Sequence, residues 1–249
     1  MTIGNLICSA IQRATALFAF FLATIGNPSG AAAEVMEWSD ADFAPYTNAV
    51  RWNTLLILPN NNVANTGVAS RMSANGNPGS YRQMTHTFQQ PNATSVAIIA
   101  TANVKQNAVF KPVGYEVASI TFTYDLGRYV GNALWGQPGN CVGYKPLIFQ
   151  DGVYYTTATF DLICGSPSTG YATNPGWQSY VQANLMRPHF VRLGNVGPTF
   201  PNFSCGAPPI TLGYFTANST NGPQQGTYVK ISGIDNWKVS VETRACAQP

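Results

Sequence analysis

The sequence predicts an all-β chain folded as a two-sheet antiparallel β-sandwich, on three observations. Runs rich in β-branched and aromatic residues alternate apolar and polar positions with period two. Clusters of Gly, Pro, Asn and Asp separate the runs and supply turn geometry. The helical candidate after the first thirty or so residues is a turn or two near Gln178–Leu185, itself read as strand.

The elements follow in chain order. Residues 1–33 read as a signal peptide: Arg13 is the one charge, ATALFAFFLATIG (14–26) is an apolar stretch too short to span a bilayer comfortably, and GAAAE (30–34) offers a small-residue cleavage site after Ala33. The chain from 34 to 249 is read as one domain of 216 residues, enough for a substantial core. Its strands are RWNTLLIL (51–58), SYRQMTHTF (80–88), TSVAIIATA (94–102) and VASITFTYD (117–125). VGYKPLIFQDGVYYTTATFDLI (142–163) folds as a hairpin about Gln150-Asp151-Gly152. WQSYVQANL (177–185), HFVRLG (189–194), ITLGYFTAN (210–218), GTYVKIS (226–232) and GIDNWKVSVE (233–242) complete the set. In the last strand, regular alternation puts Asp235 on the core face with Trp237, Val239 and Val241.

Cysteine usage agrees with export. Cys141, Cys164, Cys205 and Cys246 form an even set with three possible connectivities. The hairpin brings Cys141 to Cys164, leaving Cys205 with Cys246. No CxxC spacing exists for zinc.

Charge excludes one class of partner and chemistry narrows another. Beyond the signal segment there are 12 bases and 10 acids and no basic stripe, so the footprint of a nucleic-acid binder is missing. A glycosidase needs two carboxyl groups across the bond; the E-x-D-x-x-E strand of sandwich-fold glucanases is absent, Asp125, Asp151 and Asp161 occur singly, and Glu116 and Glu242 are the glutamates beyond the opening segment. No GxSxG elbow is present. Arg82 and His86 share a strand face with Met84 and Phe88, which suits either a lyase pair or a mixed, partly buried sheet face. Enzyme activity is left open, with non-catalysis preferred.

Sugar rings are bound by aromatic faces with amide and hydroxyl partners at the rim. Trp135, Tyr171 and Trp177 lie in or beside turn segments, and one of the adjacent pair Tyr154–Tyr155 must face outward in a regular strand. The candidate patch is Trp135, Tyr144, Tyr155, Tyr171 and Trp177, with Asn132 and Gln137 as polar partners; Trp52 and Trp237 are assigned to the core.

The order EWSDADF (37–43), RWN (51–53), GNPGSYRQMTHTF (76–88), ITFTYD, TLGYFTAN and GIDNWKVSV resembles secreted bacterial jelly-roll domains related to carbohydrate-binding modules, of the concanavalin A-like and galactose-binding-like sandwiches. That resemblance implies a structural calcium ion between the two ends of the chain, with Glu37, Asp40 and Asp42 in front and Asp235 behind. The alternative for Asp235 is to cap a turn through backbone N–H groups, or to pair with Arg51 or Arg82. The function implied is secreted, extracellular, non-catalytic recognition of a neutral polysaccharide or glycan. A structural or adhesive β-sandwich is the alternative, and a divergent polysaccharide hydrolase or lyase the third reading.

Overall fold

The computed structural model describes residues 34–41, 43, 52–59, 65–90, 97–131, 141–164, 177–220 and 226–247, all within the compact unit Ala31–Pro249. The predicted signal segment lies outside the described residues. The strands are β1 (Val35–Asp40), β2 (Trp52–Pro59), β3 (Thr66–Gly76), β4 (Gly79–Gln90), β5 (Ile98–Phe110), β6 (Tyr115–Gly131), β7 (Cys141–Gln150), β8 (Val153–Thr157), β9 (Asp161–Cys164), β10 (Gln178–Leu185), β11 (Phe190–Arg192), β12 (Ile210–Ser219) and β13 (Gly226–Ala245). A 3-10 turn, Arg187–His189, precedes β11.

Every ladder is antiparallel. One sheet runs β10-β6-β13-β4-β3, with β1 also on β13; the other runs β11-β8-β7-β12-β5-β2, with β9 also on β7. The chain crosses between the sheets at β1–β2, β2–β3, β4–β5, β5–β6, β6–β7, β9–β10, β10–β11 and β12–β13, giving the expected sandwich rather than a closed barrel. Alternation fills the space between the sheets: Phe122 and Tyr124 from β6, Leu212 and Tyr214 from β12, and Val239 and Val241 from β13 are fully buried. Trp52 and Trp237 meet edge-to-face at the centre, 5.0 Å between centroids.

Part of the interior is polar. Arg82 and His86, open to a partly buried reading in sequence, are wholly interior. Arg82 donates to Thr54 Oγ1 at 2.8 Å and to the Tyr214 hydroxyl at 3.0 Å. From Thr54 the bonds continue to Asn103 Oδ1 (2.7 Å), then Thr101, Thr216 and His86 Nε2. Each side chain of this network finds a partner, as burial requires; among the described residues, Asn65 Nδ2, Asn218 Nδ2 and Trp237 Nε1 are the buried side-chain atoms without one.

Three strand assignments differ from the alternation pattern, each for a local reason. GTYVKIS and GIDNWKVSVE are one strand, β13. A bulge between Asp235 and Lys238, with Asn236 at φ 48°, reverses its parity. Before the bulge Tyr228, Lys230, Ser232 and Ile234 face the core; after it Trp237, Val239 and Val241 do. Asp235 sits at the bulge and does not share the core face. It is 0% exposed because the β3–β4 turn folds over it. That turn belongs to β3, whose Gly-, Ser- and Asn-rich sequence disguised a strand. β1 (VMEWSD) is short and carries two acids, so it lacks the β-branched run that marks the other strands.

The Asp151-Gly152 turn has φ of 48° and 78°, the geometry a two-residue hairpin needs, and it sets β8 against β7. Cys205 and Cys246 are disulfide-bonded with Cα atoms 5.8 Å apart. Cys141 is also disulfide-bonded, and its Cα stands opposite Cys164 in the β7–β9 ladder.

Candidate ligand-binding site

A cleft of about 520 Å³ opens between the β7–β8 hairpin turn and the segment that links β10 to β12. Its lining includes Asp151 and Tyr155 on the hairpin side and Arg187, Phe200 and Asn202 on the other.

The segment is Pro-rich and Gly-punctuated (GNVGPTFPNFSCGAPP), so it cannot join a ladder for long, and Gly194 and Gly197 take positive φ. It is nonetheless fixed at many points. The buried Gln150 amide donates to the carbonyls of Asn202 (2.8 Å) and Pro208 (2.9 Å), and accepts from Asn202 N (2.7 Å). Arg187 Nε donates to Pro201 O at 2.9 Å. Phe203 is buried edge-on against Phe190, at 5.9 Å. The Cys205–Cys246 disulfide and the Gly206 N–Pro112 O bond tie the segment to the end of β13 and to the β5–β6 turn. A wall held this way loses little entropy when a ligand seats against it.

The groups in the cleft are complementary in kind. Phe200 is half-buried, and the Arg187 guanidinium lies over its ring at 5.6 Å from the centroid. Only Nε of Arg187 is bonded among the described residues, which leaves the two terminal nitrogens as donors. Asp151 is exposed across from it. The hydroxyl of Tyr155 is pushed above its ordinary pKa, chiefly by burial and then by Asp151, so it remains a neutral donor and acceptor at any physiological pH. The arrangement offers an apolar ring, amide and hydroxyl groups, one acid and one base. Asp151 is the sole carboxylate in the lining.

The candidates read from the sequence scatter. Trp135, Tyr171, Asn132 and Gln137 lie outside the described residues. Tyr144 is not at a surface: it is fully buried, its hydroxyl 2.6 Å from Ser232 Oγ. Alternation on β7 turns it into the core. Tyr155 is 2% exposed and forms part of the cleft floor rather than a platform. Trp177 is half-buried on the outer face of the first sheet. It lies against Gly127 and Gly233, where an added Cβ would meet its ring at 2.8 and 2.9 Å. It stands edge-on to Tyr81 and donates to Asn75 O at 3.3 Å. It packs the sheet.

The acids proposed for a metal each have partners. Glu37 is at the surface, its carboxyl held below the usual range first by the hydrogen bond from Lys238 (2.8 Å) and then by Ser240. Asp40 is buried in an ion pair with Lys105 and accepts from Trp52 Nε1 at 3.0 Å and Phe43 N at 2.7 Å. Asp235 accepts from the backbone N–H of Asn77 (2.5 Å) and Asn236 (2.7 Å), the turn-capping alternative. Asp42 lies outside the described residues, among which no three His, Cys, Asp or Glu side chains form a metal-binding group.

Sequence reasoning missed Phe200, Arg187 and Asp151. Phe200 between Pro198 and Pro201 is the available signal, since it lies outside any strand, although Phe203 in the same connection turns into the core.

No family model matches the chain, and no curated protein matches it. Among solved structures it is similar to TmCBM61, a carbohydrate-binding module solved in complex with β-1,4-galactotriose. The TM-score is 0.26 at 9% identity, covering 80% of this chain and 90% of that one. A likeness at that level leaves the site to be judged on its own geometry.

Proposed function

We propose that this chain is an exported, non-catalytic β-sandwich that binds a carbohydrate in the cleft between the β7–β8 turn and the Pro-rich segment. The observation that carries the reading is the pairing of Phe200, a ring on a wall fixed by Gln150 and the disulfide, with Arg187, Asp151, Asn202 and Tyr155 around it. Sugar C–H faces need a flat apolar surface, and their hydroxyls need directional donors and acceptors nearby. A single carboxylate in the lining suits binding better than glycoside hydrolysis, which uses two. The disulfides and the apolar N-terminal segment support export.

The test is binding of the protein from Glu34 onward to a glycan array and to insoluble polysaccharides. A hit is expected to weaken at least tenfold in Phe200→Ala and in Arg187→Ala, the loss of one buried contact of about 1.4 kcal/mol or more. A hit abolished by Trp135→Ala but untouched by Phe200→Ala would move the site elsewhere. No hit from correctly folded, disulfide-bonded protein would favour a structural or adhesive role instead.

A further inference from the structure

The cleft holds an acid and a base that do not neutralise each other. Among the described residues the ion pairs join Lys105 to Asp40, Lys238 to Glu37 and Arg244 to Glu116, and neither Asp151 nor Arg187 is in one. The backbone assigns the two to different walls. Asp151, at φ 48°, is exposed in the β7–β8 turn. Arg187 is exposed on the other wall, anchored by the bond from Nε to Pro201 O at 2.9 Å and by its guanidinium over the Phe200 ring.

A second cation lies nearby. Arg192 on β11 is paired with Tyr155 in the β8–β11 ladder. Burial and then Asp151 push the Tyr155 hydroxyl up, while the Arg192 charge pulls it down. Arg192 donates to Gly197 O and, among the described residues, has no ion-pair partner either. Two cations therefore flank a cleft whose lining holds one carboxylate.

Exposed to solvent, these charges are hydrated. A ligand that fills the cleft strips that hydration, and a desolvated charge is costly unless a countercharge or hydrogen bonds replace it. Sugar hydroxyls suffice for Asp151, whose oxygens accept. A wholly neutral sugar brings Arg187 only neutral acceptors. The free terminal nitrogens of a guanidinium form a planar fork that matches a carboxylate, and that pairing is stronger than one to a hydroxyl.

We propose, on the carbohydrate reading of this cleft, that its ligand is an oligosaccharide bearing a uronate. The uronate carboxylate accepts from Nη1 and Nη2 of Arg187, and neighbouring sugar hydroxyls donate to Asp151. Arg187 selects the acidic sugar and Asp151 orients it. The family resemblance implied a neutral glycan; the charges of the cleft favour an acidic one.

The experiment titrates the protein at pH 7 with oligosaccharides of galacturonate, mannuronate and guluronate and with a hyaluronan fragment, which carries glucuronate. Each is compared with its methyl ester, the same sugar without the charge. Calorimetry gives the affinities, and NMR follows the amides of residues 150–155 and 198–202 and the Arg187 Nε resonance. At least one uronate is expected to shift these resonances saturably and to bind roughly tenfold or more tightly than its ester. Arg187→Gln is expected to remove that preference and to leave the affinity for the ester within about twofold, because a neutral ester has no charge to lose. Arg187→Lys keeps the charge without the fork and should restore only part of the preference. Esters or neutral oligosaccharides that shift the cleft as strongly as the uronates would overturn the uronate assignment and leave the carbohydrate cleft standing. Cleft resonances unmoved by every sugar, charged or neutral, would overturn both. A uronate preference that survives in Arg187→Gln would also overturn the proposal.

Discussion

Among the described residues, five cations lie over aromatic rings and three pair with acids. Arg82 and Lys105 lie 5.4 and 5.5 Å from the Trp52 ring, Lys145 lies 3.8 Å from Phe160, and Arg187 and Lys230 lie over Phe200 and Phe88. A chain with thirteen bases, ten acids and abundant aromatics has this remedy available. Lys105 is the exception with a buried carboxylate partner. Lys105→Met strands Asp40 and is expected to cost about 3–5 kcal/mol in urea unfolding. His86 gives a pH signature. Burial, then Lys230, holds its pKa down to about 4, against about 6.5 in the unfolded chain. Between these values the unfolded chain binds more protons, so stability falls as pH drops from 6.5 to 4. Lys230, at about 8 folded, makes stability rise with pH from about 8 to 10.5 by the same rule. Denaturant midpoints across pH check both limbs, and His86→Asn should flatten the acidic one. Strand parity already placed Arg82 and His86 on one face. It could not tell that β5 and β12 would close over that face, because β5 passes to the opposite sheet and β12 lies more than a hundred residues further along the chain.

Among the elements, bulges and turns carry the information that alternation lacks. The β13 bulge reverses parity so that Ile234 and Trp237 both face inward, and it frees Asp235 to hold the β3–β4 turn. Asp235→Ala leaves Asn77 N and Asn236 N unpaired and is expected to cost about 2 kcal/mol. Melting of wild type and variant in calcium and in chelator tests the rest: the loss should be equal in both. A calcium-dependent gain confined to wild type would give Asp235 a metal role. Gly213 marks the β12 bulge, where a Cβ would stand 2.0 Å from Asn103 O. Gly213→Ala should therefore destabilise by more than about 3 kcal/mol, read from the same unfolding curves. Strands with strong β-branched alternation, such as β6 and β12, were legible in sequence. β1 and β3 were not, because edge strands are free to be polar and Gly-rich.

At the scale of the molecule, the sheet that holds β7 and β8 fixes the hairpin turn while the disulfide fixes the opposing wall of the cleft. Cys205 and Cys246 close a loop spanning 41 residues, so replacing both with Ser should cost about 4 kcal/mol in stability. Ligand affinity should fall with it as the Phe200 wall loosens. The fold class and the disulfide across that wall could be read from residue patterns. The cleft could not, since it joins side chains from β7, β8 and the Pro-rich segment that only the folded sheets bring together. The most direct test titrates isotopically labelled protein, from Glu34 onward, with a soluble oligosaccharide from the array hit. Amide resonances of residues 150–155, 187 and 198–202 are expected to shift saturably, with those of β3 and β10 unmoved. Saturable shifts confined to other parts of the sandwich would contradict the cleft as the binding site.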